Sequence, residues 1–107
     1  MVLRIWHGYT TKANADIYEH MLTTEIFPEI GDKKIKGHSK SQLLRREMED
    51  EVEFTTIMWF DKLESIKDFV GEDSERAYVP EKAQKVLSRY DARAIHSELR
   101  TTLEFDH

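Results

Sequence analysis

Two matched β-α-β half-patterns constrain this 107-residue chain more than any other feature. The first has an alternating strand over residues 2–9, an amphipathic helix over 13–26 and a strand over 38–46. The second has a strand over 52–60, a helix over 62–69 with a helical extension, and a strand over 92–103. The order β-α-β-β-α-β predicts the ferredoxin-like plan. This is an α+β fold in which one antiparallel sheet carries both helices on one side. The length fits one domain, residues 1–107. An architecture shared by many activities does not name one.

The first strand alternates Leu3, Ile5 and His7 against Val2, Arg4, Trp6 and Gly8. Both sets carry large apolar groups, so both faces of the sheet should be covered. We place Leu3, Ile5 and His7 toward the helices and Trp6 on the opposite face. A second subunit packing sheet-to-sheet would cover that face. In the first helix, Ala13, Ile17 and Met21, with Tyr18, Leu22 and Ile26, share the apolar stripe. Pro28 is expected to stop the helix, because the residue before a proline avoids the helical region. A glycine-bounded loop over 31–37 carries Lys33, Lys34 and Lys36 and reads as a solvated surface. Asp61, with Glu64 three residues on, predicts a capping box. Leu63, Ile66, Phe69 and Val70 form the second stripe, and Gly71 fits a C-terminal cap. Pro80 suits the start of a further helical segment to about Leu87.

Composition excludes several classes. The net charge is −5 and the basic residues are scattered, so no basic face for nucleic acid is expected. With no cysteine, disulfides, thiolate catalysis and cysteine-ligated metals are ruled out. No apolar run is long enough to span a membrane, and residues 1–9 lack a signal-peptide layout. A cytoplasmic protein without membrane or nucleic-acid partners is the expectation.

Specific residues then narrow the field. The first strand reads Arg4-Ile5-Trp6-His7-Gly8, and the hairpin reads Leu43-Leu44-Arg45-Arg46 then Val52-Glu53-Phe54. The entry to the second helix reads Met58-Trp59-Phe60-Asp61, then Ser65-Ile66-Lys67-Asp68-Phe69. Gly71-Glu72-Asp73, Ala77, Pro80-Glu81 and His96 follow. As an ordered set these resemble the antibiotic biosynthesis monooxygenase family of dimeric α+β-barrel proteins. The resemblance implies a homodimer joined sheet-to-sheet and a pocket in each subunit between sheet and helices. It also implies oxidation of aromatic polyketides without metal or flavin, or, in another branch, haem degradation. The haem-degrading branch uses an asparagine, a tryptophan and a histidine. Their positions fall here near His7, at Phe69 and near Tyr78 or Val79, so none of the three is present as such.

His7 and His96 are the candidate catalytic residues. A histidine in an apolar pocket can serve as a base toward a phenolic substrate. Trp59, Phe69 and Tyr78 are the candidate substrate-binding residues, with core packing the competing reading for Trp59. His7, His96 and Glu98 have the donor types of an oxygen-activating iron site, but their spacing gives no convergence, and no metal is expected. The leading expectation is a cofactor-independent monooxygenase-like protein acting on a small aromatic or polyketide-like molecule, with no cofactor. The alternatives are a non-catalytic small-ligand-binding or stress-related dimer and, less well supported, a haem-degrading enzyme.

Overall fold

The computed structural model describes residues 1–107. Five antiparallel strands form one sheet: β1 (Val2–Thr10), β2 (His38–Glu47), β3 (Val52–Phe60), β4 (Arg89–Tyr90) and β5 (Ile95–Glu98). The order is β2-β3-β1-β4, and β5 also pairs with β1 on its outer edge. This is the ferredoxin-like order that the two half-patterns predict. Of the long final strand expected over 92–103 only Ile95–Glu98 forms, with the short β4 preceding it, and the chain beyond Glu98 forms no regular structure.

The parity of β1 is the main correction. Arg4, Trp6, Gly8 and Thr10 are buried against the helices, whereas Leu3, Ile5 and His7 face the open side. The pairing with β3 decides this. Trp6 lies opposite Thr56, Arg4 opposite Met58 and Gly8 opposite Phe54. Directly opposed residues share a face, and Phe54, Met58 and Phe60 belong to the core. The apolar open side therefore exists as expected, but it is built from Leu3, Ile5, Leu44, Ile57, Trp59 and Ile95 rather than from Trp6. Gly8 leaves room for the Trp6 indole. A β-carbon there would come 2.8 Å from the ring and 3.0 Å from Leu87.

The first helix starts at Ala15 and does not stop at Pro28. Segment α1 (Ala15–Met21) widens into a π-helical turn (Leu22–Ile26) and continues as α2 (Phe27–Asp32). Proline has no N–H to donate, and its ring crowds the preceding turn of a regular helix. Widening the turn ahead of it relieves that conflict, and the Phe27 N–H duly reaches back to the Leu22 carbonyl. The buried stripe is Ala15, Tyr18, Leu22, Ile26 and Ile30, while Ile17, expected inside, is 54% exposed.

Helix α3 (Leu63–Val70) buries Ile66, Phe69 and Val70 of the predicted stripe but leaves Leu63 exposed, and Gly71 at φ +95° caps it. The capping box does not form. Lys62 occupies the N-cap without a side-chain bond, and the Asp61 carboxylate instead accepts from the Ser65 hydroxyl at 2.5 Å. A short α4 (Glu81–Gln84) follows Pro80 and ends well before Leu87. No helix is long and apolar enough to cross a membrane.

Candidate ligand cavity

The parity of β1 puts a charged side chain where the pattern calls for an apolar one. Arg4 is 3% exposed. One Nη donates to the Ser74 carbonyl at 2.5 Å and contacts His96 Nε2 at 2.9 Å, and the other donates to the Arg76 carbonyl at 2.5 Å. Because a guanidinium only donates, His96 Nε2 must be the acceptor, so the imidazole is neutral with its proton on Nδ1. Burial holds the His96 pKa below its ordinary value, and the Arg4 charge pushes in the same direction against the weaker pull of Glu75. Burial also lowers the Arg4 guanidinium to about 10, which leaves it a cation at neutral pH.

None of these partners is a carboxylate. An unpaired buried charge is normally expensive enough to be avoided. Backbone carbonyl dipoles and the Phe69 ring, whose centroid lies 5.8 Å from the guanidinium carbon, soften the cost without neutralising the charge. Three of the five guanidinium N–H groups are used, so Nε–H and one Nη–H have no partner within the protein.

These groups border a small cavity between the sheet and the helices. Arg4, Trp6, Thr56 and Met58 form its floor, and Tyr18, Leu22, Ile26 and Ile30 form one wall. Phe69, Tyr78, Val79 and Pro80 form another. The free volume is about 40 Å³, room for a water or two but not for an aromatic molecule without opening. Tyr78 packs against Phe69 at a 43° tilt, 4.8 Å between centroids, and Phe69 continues to Phe60 at 6.2 Å. The Tyr18 hydroxyl makes no hydrogen bond within the protein, although the residue is 1% exposed, and burial pushes its pKa well up. Residues 78–80 also line a broad outer groove of about 550 Å³ with Arg76, Gln84 and Tyr90. The segment is thus the partition between cavity and surface. The Trp6 indole is fixed by its N–H to the Asp91 carbonyl at 2.7 Å.

The sequence-predicted residues divide between the two faces. Phe69 and Tyr78 line the cavity. Trp59 lies on the open face, donating to Gln42 Oε1 at 2.7 Å, with the Lys40 ammonium 4.0 Å from its ring centroid. His7, expected on the pocket side, also lies on the open face, with Nδ1 2.9 Å from Asp91 Oδ2. His96 pairs with Arg4 in the strand register and therefore faces the helices. His7 and His96 accordingly stand on opposite sides of the sheet. No group of three or more His, Cys, Asp or Glu side chains comes together, so the iron-type donor set does not assemble. Arg4, Trp6, Tyr18 and Thr56 line the cavity without having been among the sequence-predicted site residues. A charged residue at the parity of Val2 and Trp6 was the available signal for Arg4, and the register with β3 was needed to read it.

No family model matches the chain, and no curated protein matches it in sequence. Among solved structures it is similar to a Bacillus cereus protein described as a "putative antibiotic biosynthesis monooxygenase". That likeness covers 100% of this chain and 98% of the other, with a TM-score of 0.68 at 12% sequence identity. At that identity it supports the resemblance at the level of the fold.

Proposed function

We propose that the chain is a monooxygenase-like protein acting without cofactor on a small aromatic or polyketide-like molecule held between sheet and helices. The observation that carries this reading is the aromatic-walled cavity with a buried cation on its floor. Stacking walls suit a planar ring, and few, fixed polar groups suit its orientation. The fold of the Bacillus cereus protein agrees with it. In the chemistry proposed, the substrate supplies its own electrons to dioxygen. One oxygen atom enters the substrate and the other leaves as water. The role of the pocket is to exclude bulk water and hold the electron-rich form of the ring. Ligand entry requires residues 78–80 to move aside, joining the cavity to the outer groove. In this reading His96 acts through Arg4, and His7 takes no part.

The test is oxygen uptake with a panel of quinols, naphthols and anthrones, with products followed by mass. Uptake that gains one oxygen atom per substrate and falls at least about tenfold in Phe69→Ala supports the reading. A second reading, a ligand-binding protein without turnover, is favoured by one observation: no histidine lines the cavity. It predicts saturable binding from the same panel with no oxygen uptake. Haem degradation finds no histidine among the cavity residues, and the cavity would have to open much further for the macrocycle than for a single aromatic ring.

The open face is proposed to pack against a second copy, giving a homodimer. Its support is the run of Ile5, Ile57 and Ile95 in one row across three strands.

A further inference from the structure

We infer that the cavity selects a ligand carrying an anionic oxygen, an ionised phenol or enolate in place of the neutral form, and that Arg4 is the residue that selects it. The inference rests on the cavity reading above and specifies the charge state of what enters it. The guanidinium is almost wholly buried, yet all three of its bonds go to neutral acceptors: two backbone carbonyls and an unprotonated imidazole. It forms no ion pair with a carboxylate, although Arg45, Arg46, Arg89 and Arg93 at the surface each do. The one arginine removed from water thus has no counter-ion, a lack it shares only with the exposed Arg76 and Arg100. Its two unspent N–H groups belong to a residue that lines the cavity, as do buried Tyr18, whose hydroxyl has no partner within the protein, and Thr56. Every polar group gathered there can donate, and none is anionic. A cation of this kind in a low-dielectric site favours the ionised form of whatever oxygen approaches it.

His96 sharpens the arrangement. By accepting from one Nη it fixes the plane of the guanidinium, and because the imidazole is neutral it adds no second positive charge. The remaining donors are then presented by a group that cannot turn away into solvent. His96 is a positioning residue in this scheme, since it reaches the ligand only through Arg4.

The test uses two probes of similar shape, 4-nitrophenol and 4-nitroanisole. They differ in that the first ionises, and its colour reports the ionised form. The wild-type protein is expected to bind 4-nitrophenol about tenfold or more tighter than 4-nitroanisole. Bound 4-nitrophenol should show the phenolate absorbance at a pH where the free molecule is mostly neutral. In Arg4→Gln the preference should vanish while 4-nitroanisole still binds, which also shows that the variant keeps its cavity. Equal binding of both probes to the wild type, or a bound 4-nitrophenol that stays neutral, overturns the inference and leaves the aromatic cavity standing. Binding of neither probe overturns the cavity reading and this inference with it. The wild-type comparison requires no variant to fold.

Discussion

Single side chains do opposite jobs one position apart on β1. Arg4 and Trp6 define the cavity floor, and Gly8 exists to let the indole lie flat. Gly8→Ala should therefore cost about 1–3 kcal/mol through overpacking, read as a lowered urea midpoint at unchanged slope. His96 gives a pH dependence with a definite sign. Its folded pKa lies below the ordinary value of 6.5, so the neutral form stabilises the fold. That contribution is complete above pH 6.5 and is lost as pH falls through the folded value, since a protonated imidazole cannot accept from Arg4. Denaturation midpoints measured from pH 7.5 downward should show this loss together with that of partly buried His38, whose pKa burial also lowers, and His96→Gln should reduce it. A profile in His96→Gln that matches wild type would assign the loss to other groups.

Whole elements were legible in the sequence to different degrees. Strand β3 could be read outright, because Val52, Phe54, Met58 and Phe60 alternate against Glu53 and Thr55. Strand β1 could not, because Leu3 and Ile5 compete with Val2 and Trp6 for the same description. Only its register with β3 breaks the tie, and register is a tertiary fact. The error carried His7 to the wrong side and hid Arg4, so the site was misread through one strand rather than through many residues. Helix α1 went astray for another reason. Ala13, Ile17 and Met21 recur at the same four-residue spacing as Tyr18, Leu22 and Ile26, so periodicity alone does not choose between these neighbouring stripes, and only the second is buried with Ala15 and Ile30. The two stripes can be told apart by experiment. Leu22→Ala should cost about 2–5 kcal/mol and Ile17→Ala no more than about 0.5. Comparable losses from both would contradict the observed helix face. The Lys82 bonds to Glu25 and Glu29, at 3.1 and 2.6 Å, tie α4 to this helix, but such exposed pairs add little stability.

For the molecule as a whole, the sheet has one face sealed by helices and one face bearing Leu44 at 50% exposure and Ile95 at 56%. The proposed homodimer predicts that sedimentation at micromolar concentration gives twice the 12.7 kDa chain mass. It also predicts that Ile95→Lys shifts the population toward monomer while the helix-side cavity still binds its probe. A wild-type monomer under those conditions would end the dimer proposal and leave the ligand proposal untouched.

The alternation of β1 has one more consequence. Odd-numbered positions from Leu3 to Tyr9 serve the open face and even-numbered positions from Arg4 to Thr10 serve the interior. Substitution can thus tune one side of the strand while sparing the other. A deletion or insertion of one residue within it has no such freedom. It would send the guanidinium and indole outward and the isoleucine and imidazole inward, exchanging both inventories in a single step. Variants of this protein should accordingly differ in length at the hairpin tip over residues 48–51 and in the segment after Glu98, and keep the nine residues of β1 in fixed count.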